Sequence, residues 1–307
     1  MSRDGAGVVQ ARRPTLPGLK EALDRLYDEY NHAAALADPI EIVRRYPDPR
    51  DREVVGFCAA GLAFGRVASV LQSVERLMAV LGPSPADFVA GFEPSRDAGA
   101  FAPLVHRWTR GEDLVQLILA LRRMLDEAGS VEAFFLRGLD PAAPDVGTAI
   151  DSFSTRALDL IRGGAALRPT GVCYFFPRPA TGSACKRFNL FLRWMVRADS
   201  VDFGVWSGVR PAQLVVPLDV HVIRLGQCLG LTHYQSPGWK MASEITASLR
   251  RFDPSDPVKY DFALCHVGMH DRCGFNRPFA DSRCPLRGWC RPRTGRRRAS
   301  ARPSGPR

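Results

Sequence analysis

The sequence predicts an all-α protein. Two observations carry this: apolar residues recur at helical spacing in segment after segment, and no stretch alternates convincingly as a strand would. Residues 19–36 (LKEALDRLYDEYNHAAAL) read as an amphipathic helix. After the turn YPDPR, a long helical pattern runs from Asp51 through REVVGFCAAGLAFGRVASVLQSVERLMAVLG. Its interior glycines, Gly56, Gly61 and Gly65, weaken a helix and predict close packing or a break near AFGR. Residues 111–129 and 145–164 give the next two helices. Beyond the loop RPTGVCYFFPRPATG a helix is expected from Ser183 to about Arg197. A polar connection then leads to Asp219 and its helix, followed by helices near 238–251 and 256–270. No internal repeat is visible. The expected organisation is one two-lobed helical domain over 15–290, between a disordered N-terminus (1–14) and a disordered basic tail (291–307).

Composition narrows the class. The chain has 307 residues, and its 46% hydrophobic content is ordinary for a soluble globular protein. No apolar run reaches the roughly 18 residues that a membrane span needs. The N-terminus, MSRDGAGVVQARRP, lacks the apolar core of a signal peptide. We therefore expect a cytoplasmic protein whose cysteines are mostly reduced, without disulfides. The net charge of +10 is concentrated in the tail RPRTGRRRASARPSGPR; without its seven arginines the body is near +3. Such an arm suits non-specific nucleic-acid binding, or is simply solvated. Only four of the 42 basic residues are lysines: Lys20, Lys186, Lys240 and Lys259. Arginine stays charged in the cell, whereas a lysine can lose its proton and act as a nucleophile. Each lysine is therefore a candidate.

Lys186 lies in the first turn of the helix that opens at TGSACKRFNLFLRWMV, where free amides attract anions. Helical spacing places Asn189, Arg193 and Arg197 along its face, with Phe188, Phe191, Leu192 and Met195 on another. A surface lysine on an amphipathic helix would show the same pattern. Asp219 in PLDVHVIRLGQCLGL is wedged into an apolar stretch, and burying part of a carboxylate costs free energy unless something pairs with it. Helix capping would explain it, since Val222, Leu225, Gly226 and Leu229 then form one packed face. Near the C-terminus, Cys265, Cys273, Cys284 and Cys290 cluster in a way that favours metal over disulfide, as zinc or iron–sulfur. Cys58, Cys173, Cys185 and Cys228 read mostly as core, with Cys185 a lesser nucleophile candidate.

A helix-initiating lysine, an apolar-flanked aspartate and a cysteine-rich end, in that order, resemble the helix-hairpin-helix DNA glycosylase superfamily. PLDVHVIRLGQCLGL is similar to its aspartate loop, and FALCHVGMHDRCGFNRPFADSRCPLRGWC to its last helix and iron–sulfur loop. The specific match covers roughly 170–290. The whole chain also resembles a bacterial family without an assigned activity, and the glycosylase inference passes through it. ATGSACK lacks the paired glycines of the usual hairpin, and the 33-residue separation of Lys186 and Asp219 is similar to the archaeal 8-oxoguanine glycosylase branch rather than to endonuclease III-like enzymes. Cys284 and Cys290 keep the family's five-residue gap, but Asp281 stands where a cysteine is expected.

The resemblance implies a DNA-repair glycosylase, with or without lyase activity, that removes a damaged base such as an oxidised purine. Lys186 would be the nucleophile and Asp219 the electrostatic partner, with His221 behind them. Gly182, Ser183, Arg187 and Arg193 would bind nucleic acid. Cys273, Cys284 and Cys290 would hold a 4Fe-4S cluster, with Asp281 or Cys265 as a fourth ligand; zinc or no metal remain open. The expected partner is double-stranded DNA, bound by a monomer away from membranes. Phe64, Trp108 and Trp194 could receive an extruded base, or belong to the core. The competing expectation is a non-catalytic nucleic-acid-binding protein of the same fold.

Overall fold

A computed structural model describes residues 18–32, 38–162, 171–269 and 284–290. The described residues are all-α apart from one two-residue hairpin. Helix α1 spans Leu19–Tyr30, so the amphipathic segment stops short of the expected end. Asn31 leaves helical geometry, its amide bonding Tyr27 O and its side chain donating to the Tyr27 hydroxyl at 2.9 Å. After α2 (Ile40–Arg44) the long pattern divides into α3 (Pro49–Gly61) and α4 (Val67–Leu81), with the break at Leu62–Arg66. Helix α3 starts where capping chemistry allows it: Asp48 accepts the Arg50 amide and Pro49 sits in the first turn.

Two buried acids on α3 anchor the starts of later helices. Asp51 accepts the Ala86 amide at the start of α5 (Pro85–Ala90). Glu53 accepts the Val131 and Glu132 amides that open α8 (Val131–Leu136), and also the Trp206 indole at 2.7 Å. Buried carboxylates are costly unless bonded in this way. Between these helices lie α6 (Pro94–Asp97), the hairpin of β1 (Val105–His106) and β2 (Thr109–Arg110), and α7 (Gly111–Ala128). Helix α9 (Gly147–Arg162) packs with α8 against α7.

Helix α10 (Lys186–Val196) lies against α3, and glycine makes this contact possible. A Cβ on Gly56 would stand 2.9 Å from the Met195 methyl, and one on Gly61 would stand 2.6 Å from the Phe175 ring. Both the expected close packing and the expected break are present. Phe57, Phe153, Phe188 and Phe191 pack edge-on or tilted around this contact, with centroids 5.0–6.0 Å apart. The remaining helices are α11 (Val220–Cys228), α12 (Trp239–Arg250) and α13 (Asp261–Met269), with α13 packed between α11 and α1. Among the described residues no helix is long and apolar enough to cross a membrane.

One expectation is overturned here. Disulfides were not expected, yet Cys228 at the end of α11 is bonded to Cys290, with Cα atoms 5.1 Å apart. The pairing joins residues 62 apart in sequence, a proximity that no local pattern records.

Candidate active site

Three elements converge on one rim: the first turn of α10, the first turn of α11 and a face of α13. The approach to α10 is a tight turn. Gly182 (φ +85°) accepts the Trp239 amide on its carbonyl, and Ser183 Oγ accepts the Cys185 amide at 3.2 Å. Cys185 sits in the left-handed region at φ +50°, so the helix starts at Lys186 rather than at Ser183. A non-glycine residue held there stores about 1 kcal/mol or more of backbone strain. Burial pushes the Cys185 thiol up to about 12, which removes it as a thiolate nucleophile.

Lys186 Nζ lies 3.4 Å from Asp219 Oδ2, with the two side chains 40% and 17% exposed. Asp219 divides its oxygens between two tasks. Oδ1 caps α11 by accepting the His221 amide at 2.6 Å and the Val222 amide at 3.3 Å. Oδ2 faces the lysine. The capping and pairing readings of this residue therefore hold together. Burial would raise the Asp219 carboxyl, but the Lys186 charge and the two amides outweigh it and hold the group below the usual carboxylate range. Cys265 Sγ, on α13, stands 3.7 Å from Oδ1. Its thiol is pushed well up, first by burial and then by the Asp219 and Asp261 carboxylates.

His221 packs against Gly268, where a Cβ would come within 2.6 Å of the histidine Cβ and 2.7 Å of Nδ1. Nδ1 has no hydrogen-bond partner among the described residues. Sequence reasoning missed Asp261 and Gly268, and placed Cys265 elsewhere. The signal was present: Asp261, Cys265 and Gly268 recur at i, i+4 and i+7, one face of a helix. Asp38, just ahead of α2, was also missed. Desolvation raises its carboxyl, and the Arg193 and Lys186 charges offset part of that rise.

The expected nucleic-acid contacts need correction. Arg193 is buried, bonded to Asp202 at 3.2 Å and Asp261 at 2.7 Å, and Arg197 beside it binds Asp199, Asp202 and Asp256. Burial alone would lower the two guanidinium groups, but the carboxylates raise both. The basic face of α10 is thus an internal ion network, because its acids come from later in the chain. Arg187 also turns inward, donating to Gly61 O at 2.7 Å and to Tyr174 O. Trp194 is fully buried, so it cannot receive a base. Phe64 and Trp108 instead stack near the surface.

The expected cluster ligands do not assemble among the described residues. Cys290 is bonded to Cys228, Cys265 faces Asp219, and Cys273 and Asp281 lie outside the described residues, as does the tail 291–307. No group of three metal-binding side chains occurs among the described residues. The other lysines differ from Lys186. Lys20 pairs with Asp24 within α1, Lys259 is held between Asp24 and Asp253, and Lys240 is exposed.

Residues 38–270 match the family described as "Protein of unknown function (DUF2400)", and the chain belongs to that family. No curated protein and no solved structure matches it.

Proposed function

We propose that this DUF2400 chain is a DNA N-glycosylase with a helix-hairpin-helix glycosylase fold, in which Lys186 is the nucleophile and Asp219 its electrostatic partner. The observation that carries the reading is the 3.4 Å approach of Lys186 Nζ to Asp219 Oδ2 at an open rim, the lysine presented by the first turn of α10 and the aspartate by the N-cap of α11. A lysine that only stabilised the fold would gain little there, because partly exposed ion pairs contribute roughly 0–1 kcal/mol.

In this reading the neutral Lys186 amine attacks C1′ of the damaged nucleotide. The N–C1′ bond forms as the glycosidic bond breaks, and its electron pair leaves with the base, which takes up a proton. The sugar carbon gains positive charge as the base departs, and the fixed Asp219 carboxylate stabilises that charge. The adduct gives up one of its two amine protons, the ring oxygen O4′ takes up a proton as the C1′–O4′ bond breaks, and the nitrogen keeps its other proton in a protonated imine, the species from which strand nicking can follow. The cap bonds on Oδ1 matter because they fix the carboxylate before substrate arrives. Substrate would be duplex DNA with its target base extruded from the stack. A 4Fe-4S cluster enters no step of this reading, and iron and sulfide analysis of anaerobically purified protein tests for one.

The test is a panel of duplexes, each carrying one lesion, incubated with and without borohydride. Wild type should release a base from at least one lesion and form a borohydride-trapped covalent complex. Lys186→Gln should form none, because an amide cannot make an imine. Release without any trapped complex would remove Lys186 as nucleophile. No release from any lesion would return the protein to nucleic-acid binding without catalysis.

A further inference from the structure

Four of the six exposed large hydrophobic side chains among the described residues belong to segments gathered around the hairpin: Val67, Val105, Trp108 and Tyr174. Their arrangement is built rather than incidental. His106 pairs with Thr109 across the hairpin, so Arg107 and Trp108 form a two-residue turn. Arg107 sits at φ +54°, a conformation that a side chain adopts at a cost. His106 clamps the hairpin from below, with Nδ1 at 2.8 Å from Ser73 Oγ and Nε2 at 3.0 Å from Phe64 O. Burial holds this imidazole below its ordinary value, so the clamp is neutral at neutral pH.

Trp108, 48% exposed at the tip, stacks on Phe64 with centroids 4.6 Å apart and planes at 22°. Phe64 covers one face of the indole, so the exposure lies on the outer face and edges. Tyr174 stands beside it, 49% exposed, with centroids 5.5 Å apart. Arg187 underpins this group: its guanidinium is 5.0 Å from the Phe64 centroid and donates to the Tyr174 main-chain carbonyl. Three arginines stand in the surroundings, together with Glu112 and with Asp113, which accepts the Arg110 amide. Arg66, Arg107 and Arg110 are exposed, and none is in an ion pair among the described residues. The Arg107 side chain folds over Gly65, the residue before Arg66.

We propose that the outer face of Trp108, flanked by Tyr174 and fenced by Arg66, Arg107 and Arg110, is a stacking platform for an unpaired base of single-stranded nucleic acid. A flat apolar face fits any base, and unpaired arginines fit the phosphates that flank one. The choice of ligand rests on the nucleic-acid reading above; the platform itself does not depend on the Lys186 chemistry. Arg187 follows Lys186 directly in α10, so the platform and the lysine are tied to one helical turn. An unpaired base held there would anchor the strand beside the reacting nucleotide.

The test compares two fluorescent oligomers of equal length, oligo(dT) and the same deoxyribose–phosphate chain without bases, by anisotropy. Trp108→Ala should weaken oligo(dT) binding on the order of tenfold, with the baseless chain bound as by wild type. Trp108→Phe, which keeps a stacking ring, should retain most of the affinity, and equal melting of both variants would show the fold intact. Equal loss on both oligomers, or no loss on oligo(dT), would overturn the proposal. Borohydride trapping on the lesion panel is read apart from oligo(dT) binding, so failure of the glycosylase chemistry and failure of the platform are separately visible.

Discussion

Two turns apart on α10, Lys186 and Arg193 each meet a carboxylate, and the two meetings have opposite characters. Arg193 is held between Asp202 and Asp261 with its side chain 4% exposed, and every partner is itself enclosed. Lys186 meets a single carboxylate at a solvent rim, at a longer distance. A guanidinium keeps its charge and its planar fork, which suits a permanent internal tie. An ammonium can give up its proton and move, which suits chemistry. Arginine does the structural work of this helix, and its first residue is the exception.

The largest expected effect tests the buried half of that comparison. Arg193→Met should strand Asp261 in the interior, leave Asp202 to Arg197 alone, and cost about 3–5 kcal/mol of stability, read from urea denaturation. Lys186→Gln should cost about 1 kcal/mol or less in the same assay. Comparable losses would erase the distinction between the two sites.

The next effect concerns activity. Asp219→Asn keeps a cap oxygen for the His221 and Val222 amides, because Asn caps about as well as Asp. It replaces the oxygen facing Lys186 with a second donor or leaves it uncharged. Single-turnover base release should fall on the order of a hundredfold, while the melting temperature stays close to that of wild type. Full activity in this variant would leave Asp219 as a cap and nothing more.

The smallest effect is on pH dependence, and the two sites should differ in sign. The folded-state pKa of Asp219 is depressed, so its contribution to stability is complete above the ordinary carboxylate value and is lost as pH falls through the folded value. Asp261 runs the other way. Burial, opposed by Arg193, pushes its carboxyl up to about 6. Between the ordinary value of 3.8 and about 6 the folded protein holds a proton that the unfolded chain has released. Its contribution to stability therefore declines as pH rises through that window. Melting curves from pH 3 to 7 should show Asp261→Asn flattening the decline above pH 4, and Asp219→Asn flattening the loss below it. The same slope in both variants would contradict the assignment.

Much of this was legible in the chain. The helical periods, the break near AFGR and the Asp219 cap all depend on neighbours within a turn or two, and local pattern records such neighbours. The pairing of Lys186 with Asp219 was anticipated through the resemblance to the glycosylase superfamily rather than from period. What failed was long-range. Arg193 and Arg197 carry helical spacing that reads as a solvated basic face, and only Asp202, Asp256 and Asp261, folded over them, make it an interior. The Arg107–Trp108 turn was invisible because paired strands of two residues have no period to detect. Cys265 was grouped with the terminal cysteines by proximity in sequence, whereas its helix faces Asp219.

At Gly268 the clearance between α11 and α13 is set by a hydrogen atom. No larger group fits against His221, two residues beyond the aspartate. The Lys186–Asp219 approach is already at the long end of hydrogen-bonding range, so the helix that carries the carboxylate has little room to drift outward. If α11 moved by an ångström, Asp219 would keep its cap, which travels with the helix, and lose its lysine, which does not. The absent side chain thus works as a machinist's gauge: it holds two independently mounted parts within the tolerance at which they meet.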